Sequence, residues 1–249
     1  MRKRKKIAHT TAVKILLSTV PAVKRRVDDG VETFALIWGE RAIGKTTAAQ
    51  WVTKQLPYAV YLPLNPVNSK SESALVRAMV EALGYPARWS VTQHLKVLEE
   101  TKGKVFVLDN AEFLLQKKGR RPKTPPLLSL LKHLTEVGFG FVLLSNEDVP
   151  PELAKYPEIW KRIREIVELP LITPEDLMAF GELYGINSKD WLSIAAYCEA
   201  YNITAIDIDE FFAMLCRNKI QELDLKTFQE LWEKHEAKKV SHRKEIAML

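Results

Sequence analysis

Short apolar segments and longer amphipathic segments alternate along the chain from about residue 33 to residue 170. The apolar segments predict buried β-strands at 33–38, 59–64, 104–108, 140–144 and 166–169. Between them, apolar residues recur at helical spacing and predict helices at about 45–56, 72–83, 91–100, 125–137 and 151–164. Strands and helices that alternate in this way predict an α/β fold, in which helices cover both faces of a parallel sheet.

The pattern changes after Pro170, where no further strand is predicted. Thr173 is a suitable helix N-cap, and Pro174 and Glu175 favour a first helical turn. Helical spacing continues at about 174–184, 188–200, 204–219 and 225–239, and one earlier helix is predicted at 10–27. We therefore expect a basic N-terminal arm with a short helix (1–30), an α/β domain with five parallel strands (31–171) and a small helical domain with a basic tail (172–249).

Composition places the chain among ordinary globular proteins. Its 249 residues are 47% hydrophobic and 27% charged, which argues against wholesale disorder. Two cysteines, Cys198 and Cys216, cannot build a disulfide framework or a four-ligand zinc site by themselves. No apolar run reaches the length of about 18 residues that a membrane span needs, and the basic start does not resemble a signal peptide. A cytoplasmic protein without a membrane partner is expected.

The net charge of +6 is concentrated at the N-terminus. Residues 1–30 hold nine Lys or Arg and two Asp, so their net charge is +7 and the remaining residues carry −1. A basic arm of this kind contacts nucleic acid in many proteins, because each neutralised phosphate releases a condensed counterion. A solvated tail that aids solubility has the same composition, and the sequence leaves both interpretations open.

One motif carries recognisable chemistry and lies between the first strand and the following helix. It matches the phosphate-binding pattern G-x-x-x-x-G-K-[ST], whose backbone N–H groups and helix N-terminus hold phosphates. Lys45 is placed to reach the β- and γ-phosphates of ATP, and the Thr46 hydroxyl to bind Mg²⁺. The predicted nucleotide-binding residues are Gly39, Glu40, Arg41, Ala42, Ile43, Gly44, Lys45, Thr46 and Thr47.

Acidic and amide residues follow the later strands. Asp109 ends an apolar strand and is the predicted second Mg²⁺ ligand beside Thr46. Asn110 follows it and can orient a water molecule but cannot accept its proton. Glu112 is the nearest other carboxylate, and is either the base for hydrolysis or an ordinary acid in a first helical turn. Asn146 ends the next strand and is placed to contact the γ-phosphate or the attacking water, although a plain turn also favours Ser-Asn.

The order of these motifs resembles AAA+ ATPases, and within them the transposition target-capture group of the phage Mu B protein and TnsC-like proteins. The segments that carry the resemblance are GERAIGKTTAA, VFVLDNAEFL, GFVLLSNEDV and WKRIR. It implies a P-loop AAA+ sheet of five strands followed by a helical lid. It also implies that an arginine before the last strand serves the neighbouring subunit's nucleotide. Arg162 occupies that place, with Arg164 as second choice.

The chain departs from the group at two positions. The family's Asp-Glu-Ala is Asp109-Asn110-Ala111 here, which predicts slow ATP turnover. The lid arginine expected near the start of a late helix falls around Ile206. The resemblance implies ATP-dependent assembly of a filament or ring on double-stranded DNA that recruits or activates a transposase.

Two basic loops are candidates for sequence-nonspecific DNA contacts, which act mainly on phosphates. The first follows the Asp109 strand, and the second, 68–71, follows the second strand. Their predicted DNA-binding residues are Lys117, Lys118, Arg120, Arg121, Lys123 and, in the second loop, Lys70. Flexible surface loops have a similar composition.

Two other functions share the same motifs. One is a nucleotide-gated scaffold or regulator that binds ATP and hydrolyses little of it, a function that Asn110 favours. The other is a helicase-loader-like or initiator-like DNA ATPase with a different client. A small-molecule kinase is disfavoured, because an early acceptor-binding acid and an arginine-rich lid are not found in the sequence.

Overall fold

The computed structural model describes residues 7–86, 90–115 and 124–247, with the backbone alone at Val91 and 238–247. The chain divides into two compact units. One is Ala12–Leu169, and the other combines the described parts of Met1–Thr11 and Pro170–Leu249. The helix that the sequence grouped with the basic arm thus belongs to the α/β unit.

The α/β unit is built on a parallel sheet. Within the described residues its strands are β1 Phe34–Trp38, β2 Ala59–Pro63, β3 Val105–Asp109, β4 Gly140–Ser145 and β5 Ile163–Glu168. They lie side by side in the order β2-β3-β4-β1-β5, and every neighbouring pair is parallel. The strands β3 and β4 are buried along their whole length, as expected for a sheet covered on both faces. The predicted fold class, a parallel five-stranded sheet with helices on both faces, is confirmed.

Helices cover this sheet. Their bounds are α1 Thr11–Asp28, α2 Lys45–Gln55, α3 Glu72–Ala82, α4 Val91–Glu100, α5 Pro126–Val137, α6 Val149–Leu153 and α7 Pro157–Trp160, with a 3₁₀ helix at Ala111–Leu115. Helices α3 to α7 share one hydrophobic core with alternate strand residues such as Leu36, Phe106 and Phe141. The three Phe rings at 34, 106 and 141 stack there, with centroids 5.6 and 6.1 Å apart.

Helix α1 packs on the other face of the sheet, over the start of β4. A Cβ atom on Gly140 would lie 2.5 Å from Val23 Cγ1 and 2.8 Å from Val27 Cγ2, so only glycine permits this approach. The Thr19 hydroxyl donates to Glu165 Oε1 on β5 at 2.6 Å. The helix is therefore fixed to the sheet both by packing and by a hydrogen bond.

The sequence prediction was wrong between residues 149 and 168. The single helix predicted at 151–164 is instead the two short helices α6 and α7, because Pro157 begins a new helix rather than continuing the previous one. Strand β5 begins at Ile163, three residues before the predicted start. It is an edge strand whose side chains alternate between buried and exposed positions, so its charged residues obscured the strand signal.

The second unit is helical in its described part. Its helices are α8 Pro174–Tyr184, α9 Trp191–Ala200, α10 Ala205–Arg217 and α11 Leu225–Ala247. Their core is aromatic, and the rings of Phe211, Phe228 and Trp232 lie 5.2–6.0 Å apart. Capping boxes at Thr173 and Thr204 begin α8 and α10.

Among the helices of the described residues, none has the length and apolar character required to cross a bilayer.

Candidate nucleotide-binding site

The loop between β1 and α2 has the backbone geometry of a phosphate cradle. A Cβ on Gly39 would lie 2.7 Å from Ile43 Cδ1 and 2.8 Å from the Leu169 carbonyl oxygen, so a side chain there would collide with backbone. Gly44 is the N-cap of α2 and has a φ of 92°, which favours glycine. Ala42 has a φ of 65°, an unfavourable left-handed conformation for alanine. Of the other predicted loop residues, Ile43 is buried, whereas Glu40, Arg41 and Thr47 are exposed.

Lys45 lies at the start of α2 and folds back over this loop. Its Nζ donates to the carbonyl oxygens of Gly39, at 2.6 Å, and Glu40, at 2.5 Å. Burial lowers the pKa of Lys45, and the surrounding carboxylates oppose that shift. These carboxylates belong, in decreasing order of effect, to Asp109, Glu147, Glu112 and Glu40. An ammonium group held by carbonyl oxygens at a helix N-terminus can exchange those oxygens for phosphate oxygens.

The carboxylate of Asp109 is buried at the end of β3 and accepts three hydrogen bonds. Its Oδ2 accepts from the Thr46 hydroxyl at 2.6 Å and from the Tyr61 hydroxyl at 2.9 Å. Its Oδ1 accepts from the Asn110 backbone N–H at 3.0 Å. Thr46 and Asp109, which the sequence paired as Mg²⁺ ligands, therefore lie within hydrogen-bonding distance of each other.

Tyr61 was not predicted from the sequence to be a site residue. It stands on β2, one strand away from Asp109, and strand pairing brings the two together. Burial raises the pKa of Tyr61 to about 12, and the charge of Asp109 adds to that effect while a hydrogen bond with Gln50 opposes it. The phenol therefore stays protonated and remains a donor to Asp109 across the physiological pH range.

The oxygen atoms of Thr46 and Asp109 fit a Mg²⁺ ion that completes its shell with phosphates and water. In the described residues, no group of three His, Cys, Asp or Glu side chains could hold a metal by itself. Magnesium in nucleotide sites is held by one or two protein oxygens together with substrate phosphates, so one hydroxyl and one carboxylate are sufficient.

Asn110 has a structural role that the sequence did not reveal. Its φ is 59°, in the left-handed region that asparagine tolerates better than most residues. Its side-chain Nδ2 donates to the Leu64 carbonyl oxygen at 3.2 Å, which ties the end of β3 to the loop after β2. The side chain is thus engaged with backbone, which counts against a role in activating water from this position.

Other polar groups follow the ends of β3 and β4. Asn146 directly follows β4, and its buried Oδ1 has no hydrogen-bond partner among the described residues. A buried amide oxygen without a donor is unfavourable, and a bound water or hydroxyl would satisfy it. Glu112 lies in the first turn of the 3₁₀ helix, and its charge acts on Lys45. Glu147, one residue after Asn146, has a larger effect on Lys45 and was missed.

The structure does not bring Arg162 to these residues. Its carbonyl accepts from the Phe34 N–H at 2.9 Å, so it lies at the amino edge of the sheet, opposite the P-loop. Its guanidinium pairs with Glu32 and approaches Glu136 at 3.7 Å. Arg164 is an exposed residue of β5. A role for either arginine could only concern a neighbouring subunit, and this stays a prediction.

The remaining predicted residues lie outside this site. Lys70 is exposed in the loop between β2 and α3, and Ile206 is 49% exposed in the first turn of α10. The predicted DNA-binding residues of the first basic loop fall outside the described residues: Lys117, Lys118, Arg120, Arg121 and Lys123.

Comparison with known families supports the nucleotide-site assignment. Residues 28–151 match the family described as AAA domain, a segment that contains both the P-loop and Asp109. No curated protein sequence matches the chain.

Solved structures with the same fold include two proteins of Aeropyrum pernix. The ORC2 protein in its ADPNP–ADP complexes has a TM-score of 0.62 and 17% identity, over 93% of this chain and 70% of that one. The ORC1 protein in complex with DNA has a TM-score of 0.56 and 17% identity, over 92% of this chain and 66% of that one. At this identity the likeness shows the fold, including the helical C-terminal part, and not a shared function.

Proposed function

We propose that this chain, which carries an AAA domain over residues 28–151, is an ATP-dependent protein that assembles as a filament or ring on double-stranded DNA. The observation that carries the nucleotide part is the convergence of Lys45, Thr46 and Asp109 at the carboxyl edge of the sheet, with Thr46 and Asp109 2.6 Å apart. That geometry supports binding of a nucleoside triphosphate with Mg²⁺.

Each residue then has a defined task. The P-loop N–H groups and Lys45 would bind the phosphates, while Thr46 and Asp109 would hold Mg²⁺. The chemistry that Mg²⁺ would supply there is positive charge against the phosphates. Asn146 orients a water molecule through its unpartnered Oδ1. Glu112 is the candidate base for that water, because Asn110 is bound to the Leu64 carbonyl and has no basic group to offer.

The DNA part is supported by charge and by the resemblance. The N-terminal arm and the two basic loops supply lysines and arginines that suit backbone phosphates. ORC1 of Aeropyrum pernix, which shares the fold, has been solved in complex with DNA. We infer sequence-nonspecific binding to duplex DNA with a steep salt dependence.

Two client systems fit this activity. The motif order favours target capture for a transposase, which the assembled protein would recruit or activate. The fold shared with ORC proteins over about nine tenths of the chain favours an initiator or loader role. A third function, a nucleotide switch with little hydrolysis, is favoured by Asn110. ATP turnover with and without DNA distinguishes the nucleotide switch from the other two functions. Activation of a cognate transposase distinguishes target capture from the initiator or loader role.

Electron microscopy of the protein with duplex DNA tests the proposal directly. Three samples of the protein with DNA are compared, which contain ATP, a non-hydrolysable ATP analogue or ADP. Lys45→Ala serves as the variant that cannot bind phosphates. We expect triphosphate-dependent filaments or rings that the variant does not form. Monomers in every condition, with ATP binding confirmed by a fluorescent analogue, would contradict assembly on DNA and leave the switch function.

A further inference from the structure

A second polar cleft opens at the surface of the α/β unit, lined by residues other than those of the P-loop. Its volume is about 510 Å³, and it lies between helix α3, along most of its length, and helix α4. The loop after β2 and residues 71–81 at α3 form one side, while His94 of α4 contributes to the other. None of its described lining residues belongs to the nucleotide site.

The mouth of this cleft carries donors suited to an anion. Lys70, Ser73 and Arg77 line it, and the N-terminus of α3 contributes the partial positive charge of a helix end. Ser71 is the N-cap of α3; its hydroxyl accepts from the Ala74 N–H at 3.2 Å and lies 3.1 Å from the Ser73 hydroxyl.

One carboxylate opposes an anion there. Glu81 lines the cleft and accepts a hydrogen bond from Arg77 Nε at 3.1 Å. That bond leaves the terminal guanidinium nitrogens of Arg77 with donor capacity. Among the described lining residues, the charged side chains are those of Lys70, Arg77 and Glu81, and Glu72 adds an acid in the first turn of α3 outside the lining.

His94 supplies the independent observation that points to a ligand. The residue is 3% exposed, and its Nε2 is buried without a hydrogen-bond partner among the described residues. A buried imidazole nitrogen without a partner is unfavourable, and native structures satisfy nearly all such atoms. A phosphate oxygen, or its protonated hydroxyl, would provide the missing partner once the imidazole turns its buried Nε2 toward the cleft that His94 lines.

We propose that this cleft binds a phosphate group, with His94 on its inner side and Lys70, Ser73 and Arg77 at its mouth. The source is a backbone phosphate of duplex DNA, an assignment that rests on the proposed function. A cleft at the surface, bordered by exposed cations, admits one phosphate of a long polymer without enclosing it. A free phosphate compound offers the same chemistry and is distinguished by experiment.

The first experiment measures duplex DNA binding by fluorescence anisotropy with ATP, over a range of salt concentrations. The variants are Arg77→Ala, His94→Leu and His94→Gln, which keeps a polar group. Lys155→Ala is the matched control, because Lys155 also pairs with a nearby acid on its own segment and its side chain is 58% exposed, against 57% for Arg77.

We expect Arg77→Ala to lower the slope of log affinity against log salt by about 0.9, the value for one phosphate contact. Raising salt fourfold would then weaken the variant about 3.5-fold less than the natural protein. His94→Leu should weaken binding about fivefold with little change of slope, and His94→Gln should recover part of that loss, because a neutral donor adds affinity without charge. Lys155→Ala should match the natural protein.

The second experiment follows the His94 imidazole by NMR, identified among the five histidines by its loss in His94→Gln. A shift on adding duplex DNA but not millimolar inorganic phosphate supports the DNA source. If the natural protein binds DNA while Arg77→Ala and His94→Leu behave as Lys155→Ala does, the cleft assignment is overturned and the proposed function stands. If no DNA binds in any nucleotide state but inorganic phosphate shifts His94, the DNA source and the proposed function fail while the phosphate site remains.

Discussion

Substitution of Tyr61 is the sharpest test of the proposal that Asp109 binds Mg²⁺ in the nucleotide site. In the described structure it shares Asp109 Oδ2 with Thr46, at 2.9 and 2.6 Å. When the Thr46 hydroxyl turns to Mg²⁺, as proposed, that oxygen loses one of its two donors. Tyr61 then becomes the remaining side-chain donor that holds the orientation of the carboxylate. We therefore expect Tyr61→Phe to affect the metal-bound state more than the free protein.

The expected sizes follow from the hydrogen bonds. A hydrogen bond to a charged group contributes about 1.5–3 kcal/mol, and Thr46 and the Asn110 N–H partly compensate in the free protein. The free energy of unfolding of Tyr61→Phe should thus be lower by about 1 kcal/mol, which lowers Tm by about 2–4 °C at this chain length. With Mg²⁺ present, the lost bond should reduce ATP affinity about tenfold, which corresponds to about 1.4 kcal/mol.

Titration of a fluorescent ATP analogue, in Mg²⁺ and separately in EDTA, measures this difference. Tyr58→Phe is the matched control, since it removes the same hydroxyl just before β2, at the opposite edge of the sheet from Asp109. The affinity of Tyr61→Phe for the analogue should fall in Mg²⁺, whereas its affinity in EDTA should stay within about twofold of that of the natural protein. An equal loss in both conditions would refute a role through Asp109 and leave Tyr61 as a packing residue.

Three further predictions concern the backbone and the charge of the α/β unit. Gly140→Ala should destabilise the protein by about 1–3 kcal/mol in urea unfolding, because the new methyl group overlaps Val23 and Val27; an unchanged midpoint would show that α1 is not packed on β4 as described. Ala42→Gly should stabilise it by about 0.5 kcal/mol, because relief of a left-handed alanine exceeds the entropy cost of glycine; a lower Tm would contradict this. Because the pKa of Lys45 is lowered by burial, its ammonium is present at low pH and is lost, as pH rises, before that of an ordinary lysine. ATP affinity should fall over that alkaline range in the natural protein but not in Lys45→Arg, whose guanidinium stays charged; parallel curves would exclude Lys45 as the titrating group.

The sequence predicted the first four strands within a residue at each end, and the physical reason is burial. A parallel sheet covered on both faces needs continuous apolar runs, and β3 and β4 have them along their whole length. The predicted start of the edge strand β5 was wrong because only one side of this strand is buried, so charged residues interrupt its apolar pattern. The P-loop lysine and threonine were found because their spacing is local and fixed by the turn into α2.

Site residues that depend on strand pairing could not be found in this way. Tyr61 and Asp109 are 48 positions apart, and only the register of β2 on β3 makes them neighbours. Glu147 is a different case, since it follows Asn146 just as Asn110 follows Asp109, and the same strand-end argument would have found it. His94 gave no signal at all, because an isolated histidine on an amphipathic helix is indistinguishable from a packed one until its burial is known.

The backbone and side chain of Asn110 explain why the residue after Asp109 is not a glutamate. The residue after Asp109 has a left-handed backbone, and its amide is bound to the Leu64 carbonyl. Glutamate at this position would have to accept that backbone at a cost of about 1–2 kcal/mol and would leave the Leu64 carbonyl without its side-chain donor. The position is therefore adapted to hold the loop after β2, the same loop that borders the cleft beside His94. Through this one residue, Asp109, the proposed Mg²⁺ ligand, is linked to the loop that borders the cleft, and the position next to Asp109 carries no basic group. This arrangement supports the slow ATP turnover that the sequence predicts for Asn110.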